Sequence, residues 1–171
     1  MRAARWLRAA LLRAFPRLFA RIFTPDTREL GLLGEEWAVR ALLAEGFVIL
    51  GRRVRTQSAE VDVVARDRTE LVVVEVKTTR YEPLPIPRGS GLDPRPAPFR
   101  DSGRLGAVQA ARLLRAARSM CAQSRLSPRV DLVEVFQNVH SGAVEIEHRR
   151  GITSHWETRS RFTGRSPREW T

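Results

Sequence analysis

A single cysteine, Cys121, is all the thiol this 171-residue chain carries. No intrachain disulfide can form, and a reducing compartment, the cytoplasm, is expected. Histidine is nearly as scarce: His140, His148 and His155 stand apart, without the close spacing of a zinc site. Aromatic residues make up 7% of the chain, and Trp37, Trp156, Trp170 and Tyr81 are dispersed, which argues against binding single strands on stacking platforms. No apolar run approaches the roughly 18 residues that a membrane span needs. Acid is short relative to base. Thirty Lys+Arg face nineteen Asp+Glu, for a formal charge of +11, and nearly all of the base is arginine. A guanidinium forks onto phosphate oxygens better than an ammonium does, so this balance favours a polyanionic partner: nucleic acid or an acidic membrane surface.

What is present fits one globular domain with a sizeable core, at 43% hydrophobic and 29% charged residues. Residues 1–27 read as an extension. The first 25, "MRAARWLRAALLRAFPRLFARIFTP", carry six arginines and no acid. Leu7, Leu11, Phe15, Leu18 and Ile22 share one side of a helical wheel, with Arg13, Arg17 and Arg21 on another, so a basic amphipathic helix bent at Pro16 is expected. It could lie on an anionic membrane, resemble an import peptide, or dock on the domain. Residues 28–148 form the domain. Helix is expected over 28–46 and 102–123, and strands over 47–55, 60–66, 71–77, 130–136 and 143–148. The architecture is therefore α/β, with about five strands and two main helices. Between Glu82 and Asp101 lie six of the ten prolines, a loop that no regular element can occupy. From Arg149 the chain is a basic tail without clear periodicity.

The chemistry concentrates in "AEVDVVARDRTELVVVEVKTTR", residues 59–80, where Asp62, Glu75 and Lys77 interrupt apolar strand material. If Arg68-Thr69 is a two-residue turn, antiparallel partners sum to 137 and Asp62 lies opposite Glu75. Lys77 projects from the same face, while Val72, Val74 and Val76 point into a core. Two facing carboxylates repel unless a cation lies between them, and oxygen ligands suit Mg²⁺ or Mn²⁺. A neighbouring lysine could then serve a metal-bound water aimed at a phosphodiester. The alternative is a Glu–Lys pair on the solvated face of an edge strand. On the first helix, Leu32, Val39, Leu42 and Leu43 define an apolar arc that contains Glu35, with Glu36 at its edge. A carboxylate there is costly unless it is paired or finds a cation; the alternative is a rim Glu that curls out to water or caps the helix start after Gly34. On the second helix, Ala110, Leu113, Leu114, Ala117, Met120 and Cys121 form the apolar side. Arg112, Arg115 and Arg118 line the other, as phosphate contacts or as a solvated face.

"GLLGEEWAVRALLAEGFVILGRRVR", "AEVDVVARD", "LVVVEVKTTR" and "RVDLVEVF", in that order, resemble the YraN-like family of uncharacterised bacterial proteins. That family is similar to Holliday-junction resolvases and to restriction-endonuclease-like folds with the PD-(D/E)xK signature. The resemblance runs from about Gly31 to Phe136. It implies a mixed central sheet flanked by helices, and a Mg²⁺- or Mn²⁺-dependent endonuclease acting on DNA rather than RNA, branched DNA included. It also implies roles. Asp62, Glu75 and the backbone carbonyl of Val76 would hold the metal, Glu35 would be an accessory acid, and Lys77 would serve the attacking water. Beside Arg112, Arg115 and Arg118 of the second helix, Arg80 and Gln109 are candidate nucleic-acid contacts, and resolving a symmetric junction would ask for a two-fold homodimer. Two positions depart from the family. Ala59 stands where a glycine is usual, and Gln109 is the nearest polar residue to a lysine usual early in the second helix. These departures keep open a non-catalytic nucleic-acid-binding module that retains the nuclease fold, and the basic N-terminal helix could hold either kind of domain at a membrane surface.

Overall fold

The computed structural model describes residues 2–85, 105–152 and 159–162. Most of the proline-rich stretch and most of the basic tail therefore lie outside the described residues. Three helices come first: α1 (Arg2–Ala14), α2 (Pro16–Ile22) and α3 (Thr27–Ala44). The start of α3 is written locally. Asp26 accepts from the Glu29 amide at 2.8 Å, and the Glu29 carboxylate accepts from the Asp26 amide at 3.1 Å, a reciprocal capping box. Its end is equally local. Gly46 at φ +88° lets its own amide reach Leu43 O and that of Phe47 reach Leu42 O, both at 3.0 Å.

The strands are β1 (Val48–Arg55), β2 (Glu60–Asp67), β3 (Glu70–Tyr81), β4 (Ser127–Asn138), β5 (Val144–Arg149) and β6 (Arg159–Phe162). They form one mixed sheet in sequential order. Only β3 and β4 run parallel, and helix α4 (Ala107–Cys121) lies between them in sequence, as a parallel crossover requires. This is the expected restriction-endonuclease-like core: a five-stranded mixed sheet flanked by helices, extended here by β6 along β5. No strand was expected in the tail, because four residues are too few for alternation to register.

Val72 and Val74 pack against Ala38, Val39 and Leu42 of α3, while Val73 packs against Leu113, Ala116 and Ala117 of α4. The buried face of α3 is turned slightly from the expected arc. Leu43 is 53% exposed, and Leu33 and Ala38 are buried instead, with Glu35 and Glu36 beside them. The rotation follows from a close approach. A Cβ on Gly34 would fall 1.6 Å from Thr78 Oγ1, so α3 meets β3 where only glycine fits.

The N-terminal segment does not stand apart. Pro16 divides it into α1 and α2, and Leu12 and Phe19 bury against Leu33 of α3. The Arg8 guanidinium donates to Glu29 at 2.8 Å, and that of Arg17 lies 5.4 Å from the Trp37 ring centroid. Among the described residues, no helix is long and apolar enough to cross a membrane.

Candidate functional site

The β2–β3 hairpin adopts the register that the two-residue turn implies, with Asp67 opposite Glu70 and Val63 opposite Val74. The ladder stops one step short of Asp62 and Glu75. There the Asp62 side chain replaces a backbone acceptor, taking the Val76 amide hydrogen on Oδ2 at 2.8 Å. Val73 faces α4, and alternation carries Glu75 and Lys77 to that face. Glu75 is 8% exposed, and its Oε1 accepts from Lys77 Nζ and from Gln109 Nε2 of α4, each at 2.7 Å. Glu75 Oε2 and Asp62 Oδ1 carry no hydrogen bond among the described residues.

Burial pushes the Asp62 carboxyl above its ordinary range. The Val76 amide opposes that rise and the Glu75 charge adds to it, while Lys77 and Arg53 pull the other way. Glu35 is raised as well, first by burial and then by Asp62 and Glu36, against Arg53 and Arg52. Its Oε1 lies 3.8 Å from Arg53, which also reaches Glu60 at 3.5 Å, and Glu36 pairs with Arg52 at 2.9 Å. Among the described residues, no three Asp, Glu, His or Cys side chains converge into a ready ligand set. The carboxylate oxygens of this cluster left unpaired among the described residues belong to Asp62 and Glu75, with Val76 between Glu75 and Lys77. Glu35 is coupled to Asp62 by charge but engaged by Arg53. Two carboxylates fall short of a ready ligand set, and an ion such as Mg²⁺, which keeps several waters, would have to draw its protein oxygens from them.

A cavity of about 480 Å³ adjoins this cluster, lined by Ser58, Ala59, Glu60, Gln109 and Arg112 among others. Ala59 is not among the residues at positive φ, so alanine is accommodated there without strain. Arg112, Arg115 and Arg118 are exposed on α4. Arg80 is not with them. Alternation puts it on the α3 side of β3 with Thr78, half-buried, its Nε without a hydrogen bond among the described residues. Gln109, read from sequence as a nucleic-acid contact, spends its amide on Glu75. Arg53, with φ +50° and its guanidinium between Glu35 and Glu60, escaped sequence reading altogether.

A second charged cluster was also missed. His148 on β5 is 1% exposed, with Nε2 3.0 Å from Asp131 Oδ2 and Nδ1 2.9 Å from Glu45 Oε2. Arg129 donates twice to Asp131, at 2.9 and 3.0 Å, and also reaches Asp67 and Glu70. Arg150 joins Glu45 to Asp67. The signal was available: Asp131 and Glu134 interrupt the apolar run of β4 as Glu75 interrupts that of β3. The partners were not, because they lie on four other stretches of the chain.

Against known proteins, residues 34–135, more than half of the chain, match the family described as Uncharacterised protein family UPF0102. A UPF0102 protein of Parafrankia sp. (strain EAN1pec) is 37% identical over 128 residues, 73% of this chain and 96% of that protein. One from Syntrophotalea carbinolica is 36% identical over 70% of this chain and 86% of its own length. One from Streptomyces griseus is 34% identical over 72% and 95%.

Proposed function

The chain belongs to the uncharacterised, YraN-like bacterial family UPF0102, and from the residues gathered on β2, β3 and α4 we propose that it is a metal-dependent nuclease acting on DNA. The observation that carries this reading is the pairing of the half-buried Asp62 with the buried Glu75. The two are electrostatically opposed, each has one oxygen held by N–H donors, and Lys77 and Gln109 close on Glu75. Asp62 and Glu75 would hold Mg²⁺ or Mn²⁺, which when bound would polarise a phosphodiester and lower the pKa of a coordinated water. The chain's own contributions are simpler. Gln109 and Lys77 fix the Glu75 rotamer. The Lys77 ammonium, 46% exposed, is near enough to meet a phosphate oxygen or to take part in proton transfer. Arg112 borders the adjoining cavity, and Arg115 and Arg118 continue a cationic face suited to a nucleic-acid backbone.

A second reading, a DNA-binding module without turnover, is favoured by two ion pairs: Lys77 with Glu75, and Glu35 with Arg53. The test begins with Mn²⁺ calorimetry, with and without DNA, on the wild type and on Asp62→Ala/Glu75→Ala. Specific binding lost in the double variant supports the metal site. Mn²⁺-dependent cleavage of duplex or branched DNA that falls by about 10²–10⁴ in Lys77→Ala then supports the nuclease. DNA binding without metal binding or cleavage would overturn the nuclease reading in favour of the module.

A further inference from the structure

The N-terminal helices carry more apolar surface than their docking uses. The inner face is occupied: Leu12 and Phe19 are 2% and 0% exposed against Leu33. Leu7, Phe15, Leu18 and Ile22 nevertheless remain 65%, 61%, 45% and 58% exposed. Phe15, Leu18 and Ile22 recur three and four positions apart, so they form one stripe along α2. A helix packed on a globular domain normally turns polar residues outward, and single exposed apolar residues are ordinary. Four of them on one two-helix element that is already docked through Leu12 and Phe19 are not scattered.

We infer that these exposed apolar residues seat α1 and α2 on an anionic lipid bilayer, with the nuclease-like domain held at its surface. Charge selects the occupant. Residues 1–25 carry six arginines and no acid, and even with Arg8 paired to Glu29 the segment stays basic, so a second copy of it would be repelled, whereas acidic headgroups would be attracted. Nucleic acid would satisfy the arginines but has no use for Phe15, Leu18 and Ile22. Arg13 is exposed, and a long arginine side chain can keep its guanidinium among headgroups while its aliphatic stem lies along the surface. With 13 and 7 residues, neither helix can span, so both lie in the interface. Both also precede residue 34, where the family match begins, so this surface is an addition to the part that relates the chain to its family.

The experiment is co-sedimentation of the full chain with vesicles of phosphatidylcholine containing about one-third phosphatidylglycerol, and with phosphatidylcholine alone. The wild type is expected to sediment with the anionic vesicles and not with the neutral ones. Leu18→Ser/Ile22→Ser, both at exposed positions, should keep the wild-type melting midpoint and lose roughly tenfold or more in partitioning. Arg115→Ala/Arg118→Ala, on the opposite layer, should partition as the wild type does. Three results would overturn the inference: no sedimentation of the wild type, equal partitioning of the Leu18/Ile22 variant, or wild-type self-association that the variant abolishes. The second would reduce the effect to bare charge attraction, and the third would make a second copy the occupant.

Discussion

Replacing His148 by alanine removes the imidazole that joins β4, β5 and the end of α3. Both ring nitrogens face carboxylates, Asp131 at 3.0 Å and Glu45 at 2.9 Å, so both must donate and the ring is an imidazolium. Burial alone would discharge it, but hydrogen bonds to Asp131 and Glu45, with their charges, raise its pKa above 6.5. Burial likewise opposes ionisation of Asp131 and Glu45, and His148, Arg129 and Arg150 outweigh it, so both carboxyls are lowered. Asp67 and Glu70 face Arg129 and Arg150 from the hairpin, and the Phe47 ring lies 5.5 Å from the imidazole. Deleting one partner of a buried pair costs about 3–5 kcal/mol. Arg129 still holds Asp131 through two hydrogen bonds, which puts the expected loss near the lower end. For a chain of this size, about 3 kcal/mol corresponds to a melting temperature roughly 6–12 °C lower.

The pH dependence is the sharper test. A raised histidine stabilises fully below its unfolded value of 6.5 and loses that contribution as pH rises through the folded pKa. The lowered carboxyls stabilise above their unfolded values of 3.8 and 4.5 and lose it as pH falls through their folded ones. The stability gap between wild type and His148→Ala should therefore be widest from about pH 4.5 to about pH 6.5 and narrow on either side. Urea unfolding of both proteins from about pH 4 to about pH 9 measures it. A gap that stays constant or widens above pH 6.5 would mean a neutral imidazole and would refute the ion-pair account.

Gly34→Ala should destabilise by about 3 kcal/mol or more, because the new methyl would overlap Thr78 Oγ1 and lie 2.8 Å from Thr78 Cβ. Adding Thr78→Gly should recover part of that loss in the same unfolding assay. Recovery of nothing would show that the overlap is not the cause. If α4 meets a nucleic-acid backbone, Arg112→Ala/Arg115→Ala/Arg118→Ala should flatten the dependence of log K on log salt by roughly 0.9 for each phosphate no longer neutralised. Fluorescence anisotropy on duplex DNA over a salt series reads this directly. An unchanged slope would move the nucleic-acid surface elsewhere.

Much of the fold was legible because its determinants are local. Asp26 and Glu29 start α3 and Gly46 ends it, so the boundaries lie within a turn of their signals. Arg68-Thr69 sets the hairpin register, and with it the neighbourhood of Asp62 and Glu75. Those two acids stood out because charge inside an apolar strand is costly wherever the strand ends up. The same rule applied to Asp131 would have flagged the second cluster, but nothing local ties position 131 to positions 45, 148 and 150.

By itself, then, the sequence determined the elements, the hairpin register, the family resemblance and the presence of misplaced charge, each written within a few turns of chain. Only tertiary structure decided which charges meet. Gln109 reaches Glu75 because α4 is laid across the face that alternation gives to Glu75. Glu35 turns to Arg53 because Gly34 lets α3 settle on Thr78, and α1 and α2 bury Leu12 and Phe19 on Leu33 while leaving Leu7, Phe15, Leu18 and Ile22 exposed. The physical reason is range. Propensity and alternation act between near neighbours, whereas partner choice in a low-dielectric interior depends on angstrom distances between elements far apart in sequence.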